Sequence, residues 1–291
     1  MLSRRNYAEF KKIQWFPGHM TKAARQMEEN LKKVDFVIEI RDARIPDSSR
    51  NPMLDGIIHT KPRLIILSKK DKADPKLTKE WITYLEKDNV RVIALDLVHE
   101  NYKAAIVQAS KTLCASFIEK QKRRGIKPRA LRAMVCGIPN VGKSTMINTL
   151  AKRKAAKTAD KPGVTKSLQW IKLDKDLELL DTPGVLWPKF DDQQIGLKLA
   201  LLGSIRDEVV TMDELAMFAV EWLMENNPSS LIETYGIEIQ DTPWHTLEQV
   251  AIKRGYLQKG QIDENRLMNS FVKDMRENKC GLITWEKPNV G

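Results

Sequence analysis

Apolar positions recur along this chain with two different periods. Met20, Ala23, Ala24, Met27 and Leu31 are spaced three and four apart, which predicts a helix over about 20–33 with Thr21 as a candidate cap. The run from Val34 to Ile40 then reads as a strand, Arg63–Leu67 as a second and Val90–Leu95 as a third. Helical segments near 76–87 and 102–120 follow the second and third. Such alternation predicts parallel strands joined by crossover helices. A basic, Gly- and Pro-containing linker is expected at 121–129. Beyond it come a strand at Ala133–Gly137, a helix from Lys143, and strands at Ser167–Leu173 and Leu177–Leu180.

From about Ser204 only the helical period remains. Thr211-Met212-Asp213-Glu214 has the form of a capping box, in which the Thr and Glu side chains satisfy each other's helix-end amides. Leu215, Phe218, Ala219, Trp222 and Leu223 share one face of the helix it opens, and Pro228 stops that helix. Over 263–278, Leu267, Met268, Phe271, Val272 and Met275 form an apolar side, with Arg266, Lys273 and Arg276 together beside it. The predicted architecture is α/β, a doubly wound sheet in residues 1–203, followed by a small all-α domain in 204–291.

Composition narrows the function classes. At 291 residues with 30% charged and 42% hydrophobic positions, the chain has the profile of a soluble globular protein. Its longest apolar runs, such as Leu64–Leu67, cannot span a bilayer, and the N-terminus lacks the apolar stretch of a secretory signal. Cys114, Cys136 and Cys280 are scattered and form no metal-type pair, so reduced thiols in a cytoplasm are expected. The net charge of +11 is uneven: residues 204–291 hold 9 Lys/Arg against 15 Asp/Glu, leaving 40 against 23 in residues 1–203. Basic residues crowd Lys120–Arg132 and Lys152–Lys175, the density that attracts RNA through counterion release.

Gly137-Ile138-Pro139-Asn140-Val141-Gly142-Lys143-Ser144 matches the phosphate-binding loop, G-x-x-x-x-G-K-[ST], and sits between a predicted strand and a predicted helix. Its backbone N–H groups, including those of Asn140, Val141, Gly142 and Thr145 at the helix start, would cradle phosphates. Lys143 would reach the β- and γ-phosphates, and Ser144 would coordinate Mg²⁺. Asp181-Thr182-Pro183-Gly184 lies about forty residues downstream, offering Asp181 to the Mg²⁺ shell and the Gly184 amide to the γ-phosphate. Between them, Thr165 is the candidate switch hydroxyl completing Mg²⁺ coordination.

Ser68-Lys69-Lys70-Asp71 follows the second strand and has the form of an N-K-x-D element. The Asp71 carboxylate can accept hydrogen bonds from the N1–H and 2-amino group of guanine; adenine lacks both donors and would leave the charge unpaired. Ser68 stands where Asn is usual and cannot make all the contacts of an amide, which predicts reduced affinity. Asp96-Leu97, after the third strand, falls where a second base-contacting loop belongs.

The base motif therefore precedes the phosphate loop. This permuted order, with Gly137–Ser144, Asp181–Gly184, Asp42-Ala43-Arg44-Ile45-Pro46 and Trp15-Phe16-Pro17-Gly18-His19-Met20, resembles the YlqF family of bacterial ribosome biogenesis GTPases across essentially the whole chain. The resemblance implies a circularly permuted P-loop GTPase domain followed by a helical RNA-binding domain. It also implies binding of GTP and GDP, and late assembly of the large (50S) ribosomal subunit with hydrolysis stimulated by that particle. The factor would be cytoplasmic, without membrane, and a monomer off the ribosome. Val185 and Leu186 follow Gly184 where Ras-like enzymes keep a water-orienting Gln, and by resemblance His19 takes that catalytic role. Asn140 is by the same resemblance a ligand for K⁺. Two alternatives stay open on the residues alone: an RNA-docking module that uses nucleotide only as a latch, and a permuted GTPase serving the small subunit.

Overall fold

The run from Val34 to Ile40 becomes an inner strand of a six-stranded sheet. In the computed structural model, which describes residues 20–58, 61–126, 129–155, 170–173, 175–181, 192–205, 207 and 209–289, strand β1 (Phe36–Asp42) is buried at every position. It pairs in parallel with β2 (Arg63–Ser68) on one side and β4 (Leu131–Gly137) on the other. Beyond β2 lies β3 (Val90–Leu95), and beyond β4 lies β6 (Leu177–Asp181), both parallel; β5 (Trp170–Lys172) closes the edge antiparallel to β6. The order is β3-β2-β1-β4-β6-β5. Strands buried on both faces require cover on both faces. On one face Met27 and Leu31 of α1 (Met20–Leu31) and Leu54, Ile57 and Ile58 of α2 (Pro52–Ile58) pack with Val37, Met134, Cys136 and Leu180. On the same face, Trp81 of α3 (Pro75–Leu85) packs with Ala43, Ile65, Leu67 and Val92, while the buried Ile38, Ile40, Leu64 and Ile66 point to the opposite face.

The expected helix over 102–120 is two helices, α4 (Lys103–Leu113) and α5 (Ala115–Arg123), separated at Cys114. No Gly or Pro stands at the break. Instead the Ser110 and Thr112 hydroxyls donate back to the Ile106 and Gln108 carbonyls at 2.7 and 3.1 Å, a pairing that weakens a helical turn. Helix α5 also absorbs the first part of the expected linker.

A buried ion network crosses the sheet. Glu39, on the central strand, accepts from Arg41 Nε at 2.8 Å and from Arg63 Nη1 at 3.0 Å, while Arg63 also reaches Asp55 at 2.7 Å. Arg41 and Glu39 are almost wholly withdrawn from solvent.

The chain forms two compact units. One contains the described residues 20–181 together with 284–289; the other contains 192–283. The division thus falls before α7 (Gln193–Leu201), not at the expected 204, and the last residues of the chain belong with the sheet. In the second unit α8 (Met212–Asn226) opens on the expected box, with Thr211 and Glu214 capping each other, and α9 (Pro228–Tyr235), α10 (Pro243–Arg254) and α11 (Glu264–Arg276) complete it. Periodicity missed a hairpin of β7 (Leu257–Gln258) and β8 (Gln261–Ile262), whose turn residues Lys259 and Gly260 both have positive φ, as a tight two-residue turn requires. Asp274 is the buried polar hub, contacting Arg254 at 2.8 Å, Lys279 at 2.9 Å and the Tyr235 hydroxyl at 3.0 Å. Of the three basic residues grouped on α11, Arg276 is bound internally, donating to the Ala200 and Leu201 carbonyls and pairing with Asp207 at 2.6 Å. Arg266 lies over the Tyr256 ring.

Glu39→Ala would leave the buried Arg41 guanidinium without its carboxylate, while the partly buried Arg63 keeps Asp55. It is expected to destabilise the sheet unit by roughly 3–5 kcal/mol, the cost of breaking a buried pair from one side. Urea unfolding measures this; a loss below about 1 kcal/mol would mean that the network contributes little.

Candidate functional site

At the C-terminal end of β4 the chain must turn sharply into α6 (Lys143–Ala155), and two glycines make the turn possible. Gly137 has φ +155°, and a Cβ there would lie 2.7 Å from the Ile40 carbonyl oxygen of β1. Gly142 has φ +96°, and a Cβ there would meet Leu97 at 3.0 Å. Asn140 also takes a left-handed conformation, which Asn tolerates better than most residues. The loop walls a cavity of about 460 Å³ lined by Lys69, Ile138, Pro139, Asn140, Gly142, Lys143, Ser144 and Thr145. Because β4 and β6 are neighbours, Asp181 at the end of β6 comes to Lys143, whose Nζ is 2.8 Å from its Oδ1. The helix N-terminus, the ammonium and the backbone amides together suit a polyphosphate.

The base-motif candidates arrive from β2, two strands away. The Ser68 hydroxyl is fully buried and lies 2.6 Å from the Val141 carbonyl and 2.9 Å from the Arg41 carbonyl. Its single proton is shared between the phosphate loop and β1, so Ser68 acts on the backbone and ties the two motifs together. Lys69 has φ 57°, which costs a non-glycine residue roughly 1 kcal/mol. Its ammonium is anchored on Asp42 at 2.8 Å. Asp42 is fully buried and also receives Arg44 through its backbone N–H and guanidinium at 2.8–3.0 Å. Burial pushes the Asp42 carboxyl up, but the Arg44 and Lys69 charges overrule it and hold it far below the usual carboxylate range.

Lys70 pairs with Glu100 at 2.5 Å, and Asp71 is exposed in a 3-10 turn over Lys70–Lys72. The third-strand loop lies beside it: one oxygen each of Asp71 and Asp96 and a ring nitrogen of His99 fall within 4.8 Å of one another. Asp96 accepts from the Val98 and His99 amides and meets His99 Nδ1 at 2.6 Å. Burial raises its carboxyl, and these bonds bring it below the ordinary value. Leu97 packs on Gly142, so this loop touches the phosphate loop directly.

Ser144 and Asp181 offer a hydroxyl and a carboxylate, the hard oxygen donors that Mg²⁺ takes, beside the lysine that would face the same phosphates. His19, Thr165 and Gly184 lie outside the described residues, as do Lys157, Lys161 and Lys166 of the Lys152–Lys175 cluster and the residues from 182 to 191. The Asp42–Arg44–Lys69 anchor and His99 escaped the sequence reading. Their only signal was Asp42-Ala43-Arg44, which carries no chemistry of its own until folding brings it under Lys69.

Residues 132–239 match the family described as 50S ribosome-binding GTPase. The chain is 46% identical to ribosome biogenesis GTPase A of Bacillus pumilus, covering 95% of this chain and 99% of that one. It is 46% identical to the protein of the same name from Bacillus licheniformis, covering 95% and 98%. The structure of GNP-bound YlqF from T. maritima aligns with a TM-score of 0.62 at 28% identity, covering 92% of this chain and 99% of that one.

Two outcomes are expected from this geometry. Ser68→Ala removes the proton shared by two buried carbonyls, so it should cost about 1–3 kcal/mol in urea unfolding and weaken nucleotide binding in calorimetry. Unchanged binding would show that the phosphate loop does not need this tie. The second concerns acid. Since the folded Asp42 carboxyl lies below its unfolded value, its contribution to stability is complete at neutral pH and is lost as pH falls below about 4. Asp42→Asn should lower stability at pH 7 and flatten the decline below pH 4; an unaltered acid profile would remove Asp42 as a contributor.

Proposed function

The chain belongs to the ribosome biogenesis GTPase A family, and on that premise we propose that it acts late in assembly of the large ribosomal subunit, binding the precursor particle and its rRNA. As a member of this family it binds guanine nucleotides and hydrolyses GTP. The observation that carries the reading is the meeting of the 137–145 loop, the Lys143–Asp181 pair and the 68–71 and 96–99 loops at one end of the sheet. In this reading the amides of residues 140–145 and Lys143 hold the phosphates, and Asp71 tests the guanine edge beside the Asp96–Leu97 loop. Ser144, Asp181 and Thr165 hold Mg²⁺, which when bound neutralises charge developing on the β- and γ-phosphates. Gly184 contributes an amide to the γ-phosphate. His19 orients the attacking water, a task for which Val185 and Leu186 have no hydrogen-bonding group. The Asn140 side-chain carbonyl is a hard donor suited to K⁺.

Contact with rRNA is supported by charge. Lys120, Lys122, Arg123 and Arg124 are all exposed around the C-terminus of α5. Phosphate contacts of this kind position a protein without reading sequence. A cytoplasmic location is supported by three buried free thiols; burial pushes the Cys114 thiol up to about 12, leaving it inert. Among the described residues no helix is long and apolar enough to cross a membrane.

The test is GTP turnover and co-sedimentation with purified large- and small-subunit particles. Large-subunit particles are expected to bind the GTP form and raise turnover by an order of magnitude or more. His19→Ala should abolish most of that rise while GTP affinity holds, and K⁺ should support faster turnover than Na⁺. Stimulation by small-subunit particles alone would move the partner, and no response to either would end the proposal. Equal rates in both salts would remove the K⁺ site.

A further inference from the structure

The last residues of the chain return to the sheet unit and lie against the loops that carry the base motif. Thr284, Trp285 and Glu286 are all at least nine-tenths buried. The Thr284 hydroxyl accepts the Asp74 amide at 3.0 Å and donates to the Ala43 carbonyl at 3.5 Å. Ala43 in turn donates its own amide to the Ser68 carbonyl at 2.8 Å. One hydroxyl thereby joins both ends of the segment 68–74, its entrance through Ala43 and its exit at Asp74, with Asp71 between them. Next along the tail, the Trp285 amide donates to the Arg44 carbonyl at 2.7 Å, immediately beside the Asp42 carboxylate that anchors Lys69.

Glu286 completes the brace. Its carboxylate accepts the Asp47 amide at 2.8 Å, the Ser48 amide at 3.1 Å and the Ser48 hydroxyl. Its carbonyl accepts Trp81 Nε1 at 3.1 Å, from the helix that follows the base motif. A buried carboxylate with three donors is an expensive group to remove, and its partners are backbone amides that the loop cannot satisfy by itself. Nothing in this set contacts the nucleotide cavity, so its effect must pass through the loops.

We propose that Thr284 and Glu286 are positioning residues for guanine recognition: the tail clamps segment 68–74 and the 42–48 loop so that Asp71 is held in its base-reading geometry. This rests on Asp71 being the base reader. A rigid segment keeps the carboxylate aligned with two donors on the purine edge, and a loosened one loses alignment with both. The loss is therefore larger for guanine, which offers N1–H and the 2-amino group, than for hypoxanthine, which offers N1–H alone. Phosphate contacts, made by the 137–145 loop, are untouched.

The experiment uses the full-length protein carrying Thr284→Val, Thr284→Ser, Glu286→Gln or Asp71→Asn. Affinities and release rates are measured for GDP, IDP and XDP, with thermal unfolding and turnover at saturating GTP. Thr284→Val and Glu286→Gln are expected to weaken GDP on the order of tenfold through faster release, the consequence of one lost buried hydrogen bond. IDP should suffer less, so the GDP-to-IDP preference narrows, and saturated turnover should hold. Thr284→Ser, which keeps the hydroxyl, should restore parental values. Equal losses for GDP and IDP accompanied by a lower unfolding temperature would reduce the tail to general support and overturn the proposal; parental binding by both variants would do the same. Asp71→Asn separates the premise: a shift toward XDP there, with no effect of the tail variants, removes only the clamp. No shift removes the base reader and the clamp with it.

Discussion

One hydroxyl stands between the two halves of the nucleotide site. Ser68 Oγ lies within hydrogen-bonding distance of a carbonyl of β1 and of a carbonyl of the phosphate loop, and it is sealed from water. A phosphate loop is a strained turn, here with positive φ at Asn140 and Gly142, and its conformation persists only if its surroundings determine it. Leu97 presses on Gly142 from the next loop and Ser68 pulls on Val141 from below. The two constraints come from the last residue of β2 and from the loop after β3, so the segments proposed to read the base shape the phosphate loop. An Asn at this position would bring a longer side chain and two donor hydrogens; the serine manages the tie because β2 approaches closely enough for a short side chain.

Chain order matters less to such a site than strand order. The sheet places β1 between β2 and β4, so 68–71 and 137–145 converge although the base motif comes first. What the permuted order changes is where the chain enters and leaves. The helical unit is inserted between residues that follow Asp181 and residue Thr284, so its two covalent connections run to a Mg²⁺-ligand candidate and to the brace beneath the base motif. Each end of the inserted unit is thus close in sequence to residues proposed to hold or position the nucleotide-binding groups.

The features legible in the sequence were those set by short-range pattern. The five parallel strands, the phosphate loop, and the Thr211 box follow from periodicity or fixed spacing, and they stand within a residue or two of where pattern places them. The break at Cys114 was not legible because nothing local announces it; two hydroxyls bonding backwards are compatible with an unbroken helix until packing decides. Nor was the β7–β8 turn, since Lys-Gly is a weaker turn signal than Asn-Gly. The Asp42 anchor and the tail were invisible for a different reason. Asp42 meets Lys69 across 27 positions and Ser48 meets Glu286 across 238, and a lone Glu near a terminus has no spacing to read.

Charge decides which unit can make most of the phosphate contacts. The residues from 204 onward carry an acidic excess, and the structure commits much of their basic complement internally. Arg254 and Lys279 are held by the buried Asp274, and Arg276 by Asp207 and two carbonyls at the end of α7. Freeing Arg254 or Lys279 for a polyanion would weaken the hold on a buried carboxylate, which opposes their use as phosphate contacts. Around the end of α5, by contrast, four cations face water, and among the described residues Glu119 lies near Arg123 at 3.7 Å. Any contact of the helical unit with the proposed rRNA partner would rely on shape and hydrogen bonding more than on bulk attraction, and the proposed electrostatic pull would come from the sheet unit.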